Sequence, residues 1–205
     1  IRDVSVKARK KGLKIVLVSN GFINPEPLDE ILSFTDAFNI DLKAFNNEFY
    51  KKIARAEIEP VKETLKKIVK TGKHLEITTL VIPGLNDSEE EMKLQTAWIA
   101  GELGNEIPLH LSRYFPMYHR EDPPTPVETL VKLAEIASKN LSYVYIGNAG
   151  TQESQNTRCS KCGKKVVKRS GYSIKIANLD KNGNCKECGN KIFRYFTSFS
   201  SSLKN

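Results

Sequence analysis

Apolar residues recur along this chain in two alternating rhythms. Short β-branched runs, Lys14 to Ser19 and Ala37 to Leu42, have the length and density of buried parallel strands. Between and after them come stretches with helical spacing. Residues 28–33 follow Pro25 and Pro27, with Pro27 near a first helical position. Asn47 to Ile53 reads as a second helix. Pro60 to Lys70 places 61, 65, 68 and 69 on one face and stops at Gly72. His74 to Ile82 is a third strand, ended by Pro83-Gly84. Glu89 to Leu103 is a long helix, with Asp87 and Glu90 at capping-box spacing. Ile107 to Ser112 makes a fourth strand, Thr125 caps a helix that starts at Pro126, and Leu141 to Ile146 makes a last strand. Five strands separated by helices predict βαβ units and a curved parallel sheet.

Residues 3–12 read as the last turns of a helix closed by Gly12, and the chain begins at Ile1 without a methionine, so it is expected to be a piece of a longer protein. We assign residues 1–150 to the α/β body and 151–205 to a separate tail, whose Ser-rich end, Ser198 to Ser202, is expected to fray. Charge divides unevenly between the two. The body holds 20 Lys and Arg against 21 Asp and Glu, whereas the tail holds 12 against 3, a balance of +9.

All four cysteines lie in the tail, in two copies of one pattern: Cys159-Ser-Lys-Cys162-Gly163 and Cys185-Lys-Glu-Cys188-Gly189. Two residues between cysteines let one tight turn aim both sulfurs at a single ion, and four thiolates suit tetrahedral zinc. The tail therefore reads as a small zinc ribbon. Mononuclear iron could use the same thiolates, and zinc is favoured because it is common in ribbons. Two disulfides or four free thiols are the alternatives. Disulfide scaffolds rarely place every cysteine in CxxC pairs, and the chain has neither a signal region nor 18 consecutive apolar residues, which favours a cytoplasmic protein away from membranes.

A basic tail also raises nucleic-acid binding. Against it, the aromatics available, Tyr172, Phe193, Tyr195, Phe196 and Phe199, are few and are needed for the ribbon's own core.

In parallel α/β folds, ligands bind beyond the carboxyl ends of the strands. The residues there are Ser19-Asn20-Gly21, Asp41 and Lys43, Thr78 and Thr79, and His110, Ser112, Arg113 and Tyr114. Asp41 and Lys43 share a face and together suit the amino and carboxylate ends of an amino-acid-like ligand. A solvated surface pair is the plainer alternative. Asn20-Gly21 is also an ordinary turn dipeptide. His74, His110 and His119 are not spaced as a metal triad.

In combination these residues resemble a known family. Val18-Ser-Asn-Gly-Phe22, Asn39-Ile-Asp-Leu-Lys-Ala-Phe45 and Thr78-Thr-Leu-Val-Ile-Pro-Gly-Leu-Asn-Asp87 are similar to strands three, four and five of radical SAM enzymes related to the pyruvate formate-lyase activating enzyme. Leu109-His-Leu-Ser-Arg-Tyr-Phe-Pro116, Tyr145-Ile-Gly-Asn148 and a C-terminal CxxCG pair resemble the AmmeMemoRadiSam-type members. The resemblance implies strands three to six of a partial (β/α)6 barrel, one further strand, and the ribbon. It implies an enzyme that reductively cleaves S-adenosylmethionine to a 5'-deoxyadenosyl radical, which takes hydrogen from a substrate the resemblance does not name, a protein in the case of activating enzymes. An electron donor such as flavodoxin or ferredoxin would serve it. By resemblance, Asp41 and Lys43 match the family's Asp-x-Lys at the cofactor, and Ser19-Asn20-Gly21 matches its Thr-Asn-Gly turn. Val18 replaces an acidic residue, and Thr78 stands where the activating enzymes carry an arginine, a contact Arg113 could replace.

The family's [4Fe-4S] cluster needs three cysteines spaced CxxxCxxC, and none of that spacing occurs in these 205 residues. Its ligands are expected upstream of Ile1. The other reading is a barrel scaffold without catalysis, whose basic zinc ribbon binds nucleic acid or protein.

Overall fold

The computed structural model describes residues 1–150, 153–171 and 173–196. Tyr172, Phe199 and the Ser198 to Ser202 segment lie outside these. The chain divides into two compact units, Ile1–Ala149 and Gly150–Asn205.

In the first unit the alternation of strand and helix signals becomes five parallel strands, β1 (Val16–Ser19), β2 (Ala37–Asp41), β3 (His74–Val81), β4 (Leu109–Arg113) and β5 (Val144–Gly147). They lie side by side in sequence order. Each is reached through a helix or helices: α1 (Arg2–Lys10) precedes β1, and α2 (Pro25–Phe34), α3 (Asn47–Phe49), α4 (Ile58–Lys70), α5 (Glu89–Trp98) and α6 (Val127–Ala137) follow in turn. Helices α3 and α5 each run on into a π-helical turn, Tyr50–Ala54 and Ile99–Leu103.

Side chains alternate across a strand, so the sheet has two unlike faces. Phe38, Ile40, Leu75, Ile77, Val81, Leu109, Leu111 and Ile146 form one, all nearly inaccessible to water. Against it pack Val61, Leu65 and Ile68 of α4, Met92 of α5 and Leu130 and Leu133 of α6. The opposite face carries Val16, Val18, Asn39, Asp41, His74, Glu76, Thr78, His110 and Ser112. Burial of β1 is therefore not as the apolar run predicts: Val16 and Val18 are 61% and 70% exposed, because β1 is an edge strand and nothing in this unit covers the second face.

Two predicted helix caps differ as well. Ser88, not Asp87, caps α5 by accepting a bond from Glu91 N at 3.1 Å, while Asp87 accepts from Gly84 N at 2.9 Å. Thr125 does not cap α6. Its buried hydroxyl donates to Val81 O at 2.6 Å and accepts from Tyr114 N at 3.1 Å, tying the end of β3 to the chain leaving β4.

The second unit is an antiparallel three-stranded sheet, β6 (Thr157–Arg158), β7 (Lys165–Ser170) and β8 (Ser173–Ile176). Its core comprises Cys159, Val166, Val167, Leu179 and Cys185, with Cys188, Ile192, Phe193 and Phe196 against it. No helix among the described residues is long and apolar enough to cross a membrane.

Candidate functional site

The chain just beyond the carboxyl end of β2 is tied to several other elements. Four side chains from elsewhere hold its backbone. Thr79 Oγ1 donates to Leu42 O at 2.8 Å and itself receives Gln95 Nε2 at 2.8 Å. Asn86 Nδ2 donates to Lys43 O at 2.6 Å, and Lys43 N donates to the Tyr50 hydroxyl at 3.2 Å. Glu91 accepts from Phe45 N and Asn46 Nδ2, both at 2.6 Å. Burial pushes the Tyr50 phenol up to about 12; the bond from Lys43 N opposes this and the Asp41 charge adds to it. That hydroxyl therefore stays protonated and in place at any physiological pH.

With the backbone fixed, the side chains of Asp41 and Lys43 project from one face and pair at 3.1 Å, both more than a third exposed. An ion pair this open contributes ~1 kcal/mol or less to stability. Its anchoring exceeds what a stabilising role requires.

The other predicted site residues are distributed as follows. Thr78 lies at the register of Asp41, on the same face, and donates to Asn39 Oδ1 at 2.9 Å. Ser19, Asn20 and Gly21 form the turn at the neighbouring end of β1: Gly21 N donates to Ser19 Oγ at 3.2 Å and Phe22 N to Asn20 Oδ1 at 3.1 Å. Arg113 goes elsewhere. It shares the register of Val81, on the helix-packed side, and its Nε donates to Thr125 O at 2.7 Å while the guanidinium lies 4.8 Å from the Phe115 ring centroid.

Gly21 combines a left-handed backbone, φ 71°, with close packing: a Cβ there would stand 2.7 Å from Ile40 Cγ2 and 3.1 Å from Val61 Cγ1. Gly21→Ala is expected to cost about 2–4 kcal/mol, from the left-handed penalty plus the overlap. Urea unfolding of the variant checks it, and a loss below about 1 kcal/mol would mean the turn is not built this way.

Sequence reasoning missed Glu76 and gave no role of their own to Asn39 and Tyr145, which it met only inside longer motifs. Glu76 Oε1 meets His74 Nε2 at 3.0 Å and Oε2 meets His110 Nε2 at 2.7 Å, and His110 stacks on Tyr145 with ring centroids 5.2 Å apart. Bonds from His110 and His74 hold the Glu76 carboxyl far below the usual carboxylate range, against the penalty of burial. A signal was present. A parallel strand packed on both faces reads as a continuous apolar run, whereas β3 alternates His74, Glu76 and Thr78 with apolar residues.

In the second unit the four cysteine sulfurs all lie within 4.8 Å of one another, Cys159 to Cys188 at 3.5 Å and Cys162 to Cys185 at 3.7 Å. A tetrahedral ion with bonds of about 2.3 Å sets its sulfurs about 3.8 Å apart, so the donor set fits one. The two knuckles are built alike. Gly163 N returns to Cys159 O at 2.9 Å and Gly189 N to Cys185 O at 2.8 Å, while Cys159 N donates to Lys164 O and Cys185 N to Asn190 O. Left-handed glycines close both turns, φ 70° and 72°. Since these are the chain's only cysteines, the body has no thiolate to offer an iron–sulfur cluster.

Residues 2–95 match the model of the radical SAM superfamily. The chain is 44% identical over 193 residues to an uncharacterised protein of Methanocaldococcus jannaschii, covering 93% of this chain and 57% of that one. It is 28% identical over 92 residues to pyruvate formate-lyase 1-activating enzyme of Escherichia coli, covering 44% of this chain and 37% of the enzyme. It thus spans little more than half the length of the first relative and little more than a third of the second. In fold it resembles a domain of pyruvate-formate lyase-activating enzyme from Bacteroides vulgatus, with TM-score 0.62 at 18% identity, covering 71% of this chain and 88% of that domain. Residues 2–95 of this chain are accordingly similar to the radical SAM superfamily, and a stretch of 92 residues is homologous to the pyruvate formate-lyase activating enzymes.

Proposed function

We propose that this chain is the part of a radical SAM enzyme that orients S-adenosylmethionine at its strand ends, followed by a zinc ribbon. The observation that carries the reading is the clamped end of β2, where both backbone groups of Lys43 are bonded by other side chains and the Asp41–Lys43 pair is left facing outward. Such a pair exchanges its internal contact for the ammonium and carboxylate of a methionyl group at little cost, because its geometry is set in advance. Asp41 takes the ammonium and Lys43 the carboxylate, with Thr78 and the Ser19-Asn20-Gly21 turn alongside. Bound with a reduced iron–sulfur cluster, the cofactor supplies hydrogen-abstracting radical chemistry. Cluster thiolates must come from outside this chain, since the ribbon uses all four cysteines. A flavodoxin- or ferredoxin-type donor supplies the electron, and the ribbon serves a substrate or partner.

Asp41→Asn in the cluster-reconstituted full-length protein tests the reading. Losing one charge-assisted contact of roughly 1.5–3 kcal/mol is expected to weaken S-adenosylmethionine binding about tenfold to a hundredfold. Equilibrium dialysis with labelled cofactor measures it, and unchanged affinity would sink the proposal.

A further inference from the structure

The uncovered face of the sheet has a composition that a structural barrel lining would not have. Barrel interiors packed for stability are filled with layers of branched apolar side chains. Here polar side chains pair with one another: Asn39 with Thr78 and Glu76 with His110 across strands, Glu76 with His74 along β3, and Ser112 with Asn148 just after β5.

Asp41, Thr78, His110 and Tyr145 occupy one register across β2, β3, β4 and β5. Two strand spacings, about 10 Å, separate Asp41 from His110, which is room for one small molecule beside a bound cofactor. Glu76 lies one step nearer the start of β3, and it fixes the chemistry of the imidazole above it. An ionised carboxylate only accepts, so both rings must direct Nε2–H at it. For a neutral ring that leaves Nδ1 as a bare acceptor, the arrangement by which a carboxylate orients a histidine base. Among the described residues His110 has no hydrogen-bond partner other than Glu76, and the flat Tyr145 ring bounds it on one side.

We propose that this face is a substrate-reading site, resting on the cofactor reading above, in which Glu76 positions His110 so that its Nδ1 accepts from an O–H or N–H group of a small polar substrate. If that group is acidified in the reaction, its proton passes to Nδ1, and the resulting imidazolium faces the Glu76 carboxylate. Glu76 is the positioning residue and His110 the one that touches substrate.

Nitrogen-15 spectra of histidine-labelled full-length protein test the arrangement. With the ring neutral, the expected wild-type signature for His110 is a protonated Nε2 and a bare Nδ1. Glu76→Gln is expected to switch one of the two histidines to the Nδ1–H form, since an amide has one acceptor oxygen and cannot receive both rings. Glycerol, a neutral O–H donor, should shift the His110 Nδ1 resonance saturably, and acetone, an acceptor only, should not. A bare Nε2 on His110, unaltered tautomers in a folded E76Q protein, or equal responses to glycerol and acetone would each overturn the proposal. His110→Asn, checked for folding by thermal melt, should remove the glycerol-responsive resonance and so assign it to His110, and its persistence in the variant would also overturn the proposal. Cofactor binding by D41N is a separate measurement, so the cofactor reading can fail while these results still decide this one.

Discussion

Stripping the proposed metal from Cys159, Cys162, Cys185 and Cys188 is expected to unfold the second unit and leave the first folded. Two of the five residues at the centre of the ribbon's core belong to the cysteine quartet, and the aliphatic remainder is Val166, Val167 and Leu179. A unit of this size cannot bury enough apolar surface to offset the ordering of its chain, and small domains rely on a metal or disulfides instead. Structural zinc contributes on the order of 10–16 kcal/mol in small folds, far above what three aliphatic side chains provide. Metal-free, the four thiols also compete for protons at close range. Cys162 is pushed up to about 12: the Lys164 amide draws it down, and burial with the neighbouring thiols outweighs that. Amide hydrogen exchange before and after chelation is the direct measurement. Protection across β7 should collapse to solvent rates while β3 and β4 keep theirs. Persistent protection in β7 after verified metal loss would show that the ribbon stands without an ion.

The rhythm of apolar residues was sufficient to place all five strands of the body and their order of appearance, because element type follows from periodicity over short windows. Partners separated by forty or more residues were beyond it. Nothing in the local sequence says that Glu91 turns away from its own helix start to bind Phe45 N and Asn46, 46 and 45 positions earlier. That diversion leaves Ser88 as a one-sided cap, although Ser88 and Glu91 have the spacing of a reciprocal box. The same spacing one residue earlier, Asp87 with Glu90, was an equally good local pattern, and only the tertiary use of Glu91 separates them. Thr125 fails as a cap for a related reason: its hydroxyl is worth more between Val81 O and Tyr114 N, both buried, than at an exposed helix end. Asp41 and Lys43 were legible as a same-face pair at a strand end, whereas the side chains that fix them were not. The cysteine quartet was the most legible feature, since both halves of the donor set are written within four residues each.

Asn86→Ala is expected to be the most damaging single substitution in the body. Asn86 is 3% exposed, and its amide meets three backbone groups: Oδ1 accepts from Ile82 N at 2.7 Å, and Nδ2 donates to Leu80 O at 2.9 Å and Lys43 O at 2.6 Å. One N–H and two carbonyls around a single amide leave no choice of orientation, since only the NH2 end can serve both oxygens. Removal strands all three groups away from water, at about 1–3 kcal/mol for each buried group left unpaired, partly relieved by relaxation. We expect a total near 4 kcal/mol and a fall in melting temperature of roughly 10 °C for a unit of this size. Asn86→Asp sharpens the test. It has almost the same shape and keeps the acceptor for Ile82 N, yet it replaces the double donor with a carboxylate oxygen facing two carbonyls. It should therefore destabilise at least as much as alanine, and a near-native N86D protein would disprove the network. Because Asn86 also holds Lys43 O, surviving folded protein of either variant should bind S-adenosylmethionine more weakly than its folded fraction alone accounts for, which is how the clamp on β2 differs from a merely buried hydrogen bond.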